Sequence, residues 1–270
     1  MRHPIVNWIL ALTALFVCSF TSQAQSTESR KPVTVQATKA KTSARVPDFS
    51  GVWEPHMPES AKKYSGYSFT GEIPPMTPWG KAQYEATKPS WGPRAVLDST
   101  DPVNPTTGTG HEVGCFPPGV PRIYVHHFPM EILQVPGHVV QIFEFGHFVR
   151  EIYTNGAHEH EKDLNPSWMG DSIGWWEGDT LVIDSIGFND KTWLDRAGLP
   201  HSDQLHVVEH IRRPNHGTLE VDILVDDPKA YTATFGGKEI YELRPDWKIE
   251  EMICEDNVNF NELKKEGKEQ

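Results

Sequence analysis

Short runs in which apolar and polar residues alternate dominate the chain from about residue 122 onward. Alternation with a period of two is typical of half-buried β-strands, and the runs are separated by turns rich in Gly, Pro, Asn and Asp. The predicted strands are RIYVHHF, MEILQV, HVVQIFEF, HFVREIYT, IGWWEG, TLVIDSI, LHVVEHIRR, TLEVDILVDD, KEIYEL and KIEEMIC. This pattern predicts an all-β fold, namely an antiparallel up-and-down, lipocalin-like barrel with long ordered loops and one or two short helices.

The region between residues 55 and 120 has a different pattern, because Pro and Gly interrupt it repeatedly. One helix is predicted at WGKAQYEATK, since Thr77 and Pro78 form a suitable N-cap and first-turn pair and Pro89 follows the end. We expect the rest of this region to be ordered loop that wraps over the barrel.

The two ends of the chain predict segments outside the barrel. A basic start, the apolar run IVNWILALTALFVCSF and the small residues Ser22 and Ala24 are typical of a secretory signal peptide. No other run approaches the ~20 apolar residues that a membrane span requires, so we expect no membrane insertion after signal removal. The predicted organisation is a signal peptide at 1–24, a flexible spacer at 25–46, a β-barrel domain at 47–257 and a charged tail at 258–270.

Charge and cysteine content narrow the partners and the compartment. The formal net charge of -12 disfavours binding to nucleic acid or to anionic membranes, so a small-molecule ligand is the expected partner. After signal removal two cysteines remain, Cys115 and Cys254. In the periplasm or outside the cell they are expected to form a disulfide, with two separate buried thiols as the alternative.

The stretch His206-Val207-Val208-Glu209-His210 has the H-x-x-E-H order of one group of zinc peptidases. A helix would bring both histidines to one metal, whereas a strand would place them about 13 Å apart. The alternation of LHVVEHIRR, and of TLEVDILV after a short turn, favours a strand in a hairpin. Glu209 would then face inward, where Arg150 could pair with it as a ligand clamp or as a structural ion pair.

The segment GFNDKTWLDRAGLPHSD is irregular and concentrates functional residue types, as loops on a rigid barrel often do. The catalytic candidates are His201, as a general acid/base oriented by Asp203 or Asp195, and Glu209. The ligand-binding candidates are Arg150, His147, Trp193, Trp176 and Asn189. His158 and His160 form at best a weak metal site, and since no cofactor motif is present we expect neither metal nor cofactor.

Several stretches together resemble a large group of secreted, mostly uncharacterised bacterial proteins. They are DFSGVW, MTPWGKAQYE, CFPPGVPR, FEFGHFVREIYTNG, NPSWMGDSIGWWEGDTLVIDSIGFNDKTWLD, LPHSDQLHVVEHIRR, VDDPKAYT and MICEDN. The resemblance implies a single exported β-rich domain. GVW is also similar to the Gly-x-Trp start of lipocalin-like barrels. This chain departs from the group where His210 replaces a usual arginine, which makes H-x-x-E-H a local feature.

Three functional hypotheses follow. The first is an exported barrel that binds or transforms a small organic or sugar-derived ligand by metal-free acid/base chemistry, as a lyase, hydratase or isomerase does, with Arg150 holding an anion or oxyanion. The second is a lipocalin-like carrier without catalysis. The third is a zinc hydrolase that uses His206, Glu209 and His210.

Overall fold

The computed structural model describes residues 46–56, 67–103, 116–156 and 159–252, and in these ranges nine strands close into one barrel. The strands are β1 (Gly51–Pro55), β2 (Met130–Val135), β3 (His138–Phe143), β4 (Val149–Tyr153), β5 (Asp171–Glu177), β6 (Thr180–Ile186), β7 (His206–Asn215), β8 (Thr218–Asp226) and β9 (Phe235–Leu243). One α-helix, α1 (Pro78–Ala86), lies outside the barrel sheet. The predicted all-β barrel is confirmed.

Each strand pairs with its neighbours in sequence, and β9 pairs back onto β1. All neighbours are antiparallel except β4 and β5, which are parallel and share the single residue pair Tyr153 and Ile173. The exception follows from the strand count, because a ring of sequential antiparallel neighbours can close only with an even number of strands. With nine strands, one pair must be parallel.

The predicted β7–β8 hairpin is confirmed, and its residues point to the predicted sides of the sheet. Val207, Glu209 and Ile211 are buried on the interior side of β7, whereas His206 and His210 are half-buried on the outer side. Glu209 therefore points away from both histidines, and the histidines are separated by four strand residues, about 13 Å. The metal site of the zinc hydrolase hypothesis is not formed, because HVVEH is a strand.

Two strand predictions are wrong. RIYVHHF forms a 3-10 helix at Arg122–Val125, and all four of its residues are buried. Its apolar and aromatic residues fit a strand pattern in the sequence, but a half-buried strand would expose alternate side chains to solvent, and this helix exposes none. KIEEMIC forms no strand in its described part, which ends at Met252.

The predicted helix is confirmed as α1, with the Thr77 hydroxyl accepting a hydrogen bond from the Gly80 N–H group at 3.0 Å. Thr77 also donates its hydroxyl to the Lys229 carbonyl at 2.6 Å, which fixes the start of α1 against the segment after β8. A Cβ atom on Gly80 would lie 2.0 Å from the Ala230 carbonyl oxygen. Only a residue without a side chain allows this approach.

Several predictions lie outside the described residues. These are the signal peptide, the spacer up to residue 45, Cys115 and Cys254 with their disulfide, His158, and the charged tail. Among the helices that the structure does describe, none has the length and apolar character needed to cross a membrane.

Candidate functional site

An ion pair between Arg150 and Glu209 lies inside the barrel, as the strand pattern predicted. Arg150 Nη2 donates to Glu209 Oε2 at 2.5 Å and Nη1 donates to Oε1 at 2.9 Å. Arg150 is 2% exposed and Glu209 0%. Tyr124, from the 3-10 helix, donates its hydroxyl to Glu209 Oε1 at 2.6 Å. Burial and then the charge of Glu209 raise the pKa of Tyr124, so the phenol stays protonated and acts as a donor.

The remaining donors of Arg150 are also occupied. Nε donates to the Ser172 hydroxyl at 3.1 Å, Nη2 donates to the Ser185 hydroxyl at 2.9 Å, and Nη1 lies 3.2 Å from Gln141 Oε1. Burial disfavours the charge on Arg150, yet Glu209 and Tyr124 outweigh it and the pKa of Arg150 is raised. A guanidinium has five N–H groups, and here they all have acceptors. This arrangement favours a structural ion pair over a ligand clamp or an oxyanion holder.

His201 is buried in the segment 187–205, between β6 and β7. Its Nδ1 lies 3.1 Å from the Ser202 carbonyl oxygen, and its Nε2 lies 3.1 Å from the Thr192 hydroxyl. Since a carbonyl only accepts, Nδ1 carries the hydrogen and Nε2 accepts from Thr192. Burial lowers the pKa of His201, against the opposing effects of the Ser202 carbonyl and Asp227. Both ring nitrogens are thus engaged within the loop.

The carboxylates expected to orient His201 lie elsewhere. Asp203 is exposed and pairs with Lys229 at 2.8 Å. Ser202 lies between His201 and Asp203 in the sequence and is held by Asp227. The Asp227 carboxylate accepts a hydrogen bond from the Ser202 amide at 2.6 Å and another from the Ser202 hydroxyl at 2.7 Å. Asp227 was not anticipated from the sequence, although the Asp-Pro step in VDDPKA is a recognisable turn signal.

The four other predicted ligand-binding residues are dispersed. His147 is exposed in the β3–β4 turn. Trp176 faces the interior beside Phe49, and it pairs with Leu181 near the start of β6, about 20 Å along the strand from the segment 187–205. Asn189 is bonded locally, through its side chain, to the Lys191 amide at 3.2 Å. Trp193 lies under the Arg122 guanidinium at 5.5 Å from its ring centroid.

Asp195 is the predicted catalytic residue that lies at a cavity. The cavity has a volume of about 260 Å³ and is formed by residues 67–73, by α1, by the loop at 93–94 and by the segment 195–199. Its walls are mainly apolar and aromatic, and its lining includes Tyr67, Ile73, Tyr84, Pro93, Ala197 and Leu199. The charged residues of the lining are Glu72, Asp195 and Arg94, and the Arg94 guanidinium lies over the Tyr84 ring at 3.9 Å.

The Asp195 carboxyl is bonded on one side. Oδ1 accepts hydrogen bonds from the amides of Ala197 at 2.9 Å and Leu199 at 3.0 Å, while no hydrogen bond from any described residue reaches Oδ2. Burial raises the pKa of Asp195, against the lowering effects of these amides, the nearby Ser68 hydroxyl and the Arg122 charge. A buried carboxyl with one unoccupied oxygen and a raised pKa can exist as the neutral acid and donate a hydrogen bond.

The sequence did not indicate Tyr84, Arg94 or Glu239 as site residues. Glu239 lies on the interior face of β9 opposite Val221, half-buried, and makes no hydrogen bond or ion pair with the described residues. Burial raises its pKa to about 8. The sequence did contain a signal for the inward position of Glu239, because KEIYEL places this glutamate two residues before Tyr241. It is a weak signal, since Lys and Glu near strand ends are commonly solvated.

Over the parts of the chain that the structure covers, no group of three or more His, Cys, Asp or Glu side chains is placed to hold a metal ion. Comparisons of the chain with protein-family models, with curated proteins and with solved structures found no match.

Proposed function

We propose that this barrel binds a small organic molecule in the cavity beside Asp195. The observation that carries the proposal is a mainly apolar cavity whose wall includes the buried carboxyl of Asp195. Ligand sites are commonly apolar clefts with a few placed polar groups, of about 300–1,000 Å³. At about 260 Å³ this cavity fits a ligand smaller than a typical drug.

The walls define the chemistry of the ligand. Apolar and aromatic residues favour a compact hydrocarbon body, and burial raises the pKa of Asp195 toward the protonated form, which is a hydrogen-bond donor. Glu72 and Arg94 carry opposite charges in the same wall, so neither sign of ligand charge is favoured, and burying a charged group against apolar walls is costly. The ligand expected is therefore an uncharged molecule with one acceptor, such as a ketone, an ester or an ether.

Catalysis is a second candidate function, favoured by the raised pKa of Asp195. A carboxyl whose pKa is raised by burial can serve, when protonated, as a general acid toward a bound carbonyl. This alternative needs a proton acceptor as well, and Asp195 would have to supply both steps in turn. Non-catalytic binding requires fewer groups and is the function that the geometry supports best.

Binding is tested with three probes of equal shape, cyclohexanone, cyclohexanol and cyclohexylamine, by ligand-observed NMR. We expect cyclohexanone to bind best and the ammonium probe to bind least. Ala197→Trp, which fills the cavity from a residue of its wall, should weaken cyclohexanone binding at least tenfold, a loss of about 1.4 kcal/mol.

The matched control is Ala233→Trp, which adds the same side chain at an exposed position outside the lining. It should leave binding unchanged. Equal binding by wild type and Ala197→Trp would refute the site. Turnover of a bound carbonyl compound by wild type and its loss in Asp195→Asn would move the conclusion from carrier to enzyme.

A further inference from the structure

His160 is bonded through both ring nitrogens on the outer surface of the barrel. Its Nδ1 lies 2.6 Å from Asp171 Oδ2 in β5, and its Nε2 lies 3.0 Å from Asp184 Oδ1 in β6. The same Asp184 oxygen lies 2.9 Å from Nε2 of His206 in β7. Three adjacent strands thus contribute to one cluster, and His160 joins it from the connection between β4 and β5.

The two contacts of His160 fix its protonation state. A neutral imidazole has one N–H group, whereas ionised carboxylates only accept, so both contacts form together only when the ring carries two hydrogens. Burial lowers the pKa of His160, but Asp184 and Asp171 outweigh it and the net shift is upward. The histidine bonds likewise outweigh burial at Asp184 and hold its pKa at about 2.

His160 belongs to a segment that reaches the start of the irregular segment 187–205. Ser167, in the same segment as His160, donates its amide N–H to the Gly187 carbonyl at 2.9 Å. The Asn189 amide N–H donates to the Ser167 carbonyl at 2.8 Å. Leu164 lies against Gly187, at 3.3 Å from where a Cβ atom would stand. The position of residues 159–170 therefore bears on the loop that contains Asp195.

We propose that His160 is a proton-operated latch, which holds the segment 159–170 against β5 and β6 while its ring is doubly protonated and releases it when one proton leaves. The inference is independent of any ligand. Its contribution is complete at pH values below the ordinary histidine pKa of about 6.5 and is lost as pH rises through the higher pKa of folded His160.

Titratable groups surround the His160 ring, and most of them are acids that favour its positive charge. On the barrel they are Asp171, Asp184, His206 and, opposite His206 on β8, Asp226. On its own segment the charged neighbours are Glu159, Glu161, Lys162 and Asp163. Acids outnumber bases in this set, so removing the proton from His160 leaves repulsion between Asp171 and Asp184 across the ring.

Amide hydrogen exchange of the full folded barrel, measured by NMR between about pH 5 and pH 9, tests the latch. After correction for the intrinsic exchange rate, the Ser167 and Asn189 amides should lose at least tenfold protection as pH rises. His160→Gln, which is uncharged, should be poorly protected at every pH. His160→Lys keeps a charge throughout this range and should show no such transition.

His210→Gln is the control, because His210 lies on the same outer face of β7 without an ion pair to the described residues. It should follow the wild-type profile. Protection that does not change with pH in wild type, or that is the same in His160→Gln, overturns the proposal. Protection at pH 9 that appears with added Zn²⁺ and requires both His160 and His206 also overturns it, because the cluster would then hold a metal in place of the proton.

Discussion

At the scale of single residues, the sequence predicted the interior pair Arg150–Glu209 but not the other side chains that bond to it. Strand alternation was sufficient to turn Arg150 and Glu209 inward, and the pair forms. Tyr124 reaches it from a 3-10 helix that the sequence pattern predicted as a strand. Ser172 and Ser185 are opposite each other across β5 and β6, so their meeting with Arg150 depends on how the ring closes rather than on local pattern.

Glu209→Gln should lower the free energy of unfolding by about 3–5 kcal/mol, because Arg150 then remains buried with its charge unpaired. Urea denaturation measures the loss. Glu220→Gln is the matched control, since it removes a carboxylate from another arginine, Arg212, on the outer face of the same hairpin. Loss of that outer pair, in which Arg212 is exposed and Glu220 half-buried, should cost no more than about 1 kcal/mol. Similar losses in both variants would contradict a structural role for the interior pair.

The candidate site was predicted in part. Asp195 was chosen because it lies in a loop dense in polar residues, and it does line a cavity. His201 and Asp203 were chosen on the same grounds, yet one is bonded within its loop and the other is an exposed ion pair. Composition identifies a loop, but the direction of each side chain is set by backbone bonds such as that from the Leu194 amide to the Leu199 carbonyl.

At the scale of elements, strands with a strict period of two were predicted well and elements buried on all sides were not. β7 and β8 alternate cleanly and form the expected hairpin. The Arg122–Val125 helix has no solvent-facing side, so no periodicity distinguishes it from a strand. α1 was identified by its N-cap, a local signal that requires no tertiary contact.

Gly80→Ala should destabilise the fold by about 1–3 kcal/mol, although alanine ordinarily favours a helix by about 1 kcal/mol over glycine. The reason is the 2.0 Å distance between the new Cβ atom and the Ala230 carbonyl oxygen, which would force α1 away from its contact. Thermal unfolding followed by circular dichroism measures the change. Gly71→Ala, where no atom lies within 4 Å, should change stability by less than about 0.5 kcal/mol. A Gly80→Ala protein more stable than wild type would contradict this prediction, because it would show that α1 can shift without loss of stability.

At the scale of the whole molecule, a closed ring of short strands was predictable from the number and spacing of the runs, whereas its strand count was not. RIYVHHF and KIEEMIC were counted as strands that the described chain does not contain. Export, the signal peptide and the disulfide remain predictions, since the residues on which they depend lie outside the described ranges.

The contribution of Glu239 to the stability of the barrel should fall as the pH rises from about 4.5 to about 8. The pKa of Glu239 is about 4.5 in the unfolded chain and about 8 in the folded protein. Between these two pH values folding is therefore coupled to proton uptake, and at higher pH the charged carboxylate destabilises the folded state. Glu239→Gln should therefore stabilise the protein at about pH 9, by on the order of 2 kcal/mol after allowance for its partial exposure, and change little at about pH 4. Urea unfolding at both pH values measures this. Glu242→Gln, on the outer face of the same strand and paired with Arg244, should show no such gain; a gain of equal size would contradict the assignment.

Because β4 and β5 share a single residue pair, the barrel is closed only weakly at this one position. Eight antiparallel ladders run continuously from β5 through β9 and β1 to β4, and one residue pair joins the two ends. β4 and β5 are therefore close to being edge strands, and edge strands are the part of a sheet that can pair with strands of other molecules. The segment that His160 ties to Asp171 lies at this junction. We therefore expect release of that segment to favour self-association through the opened seam.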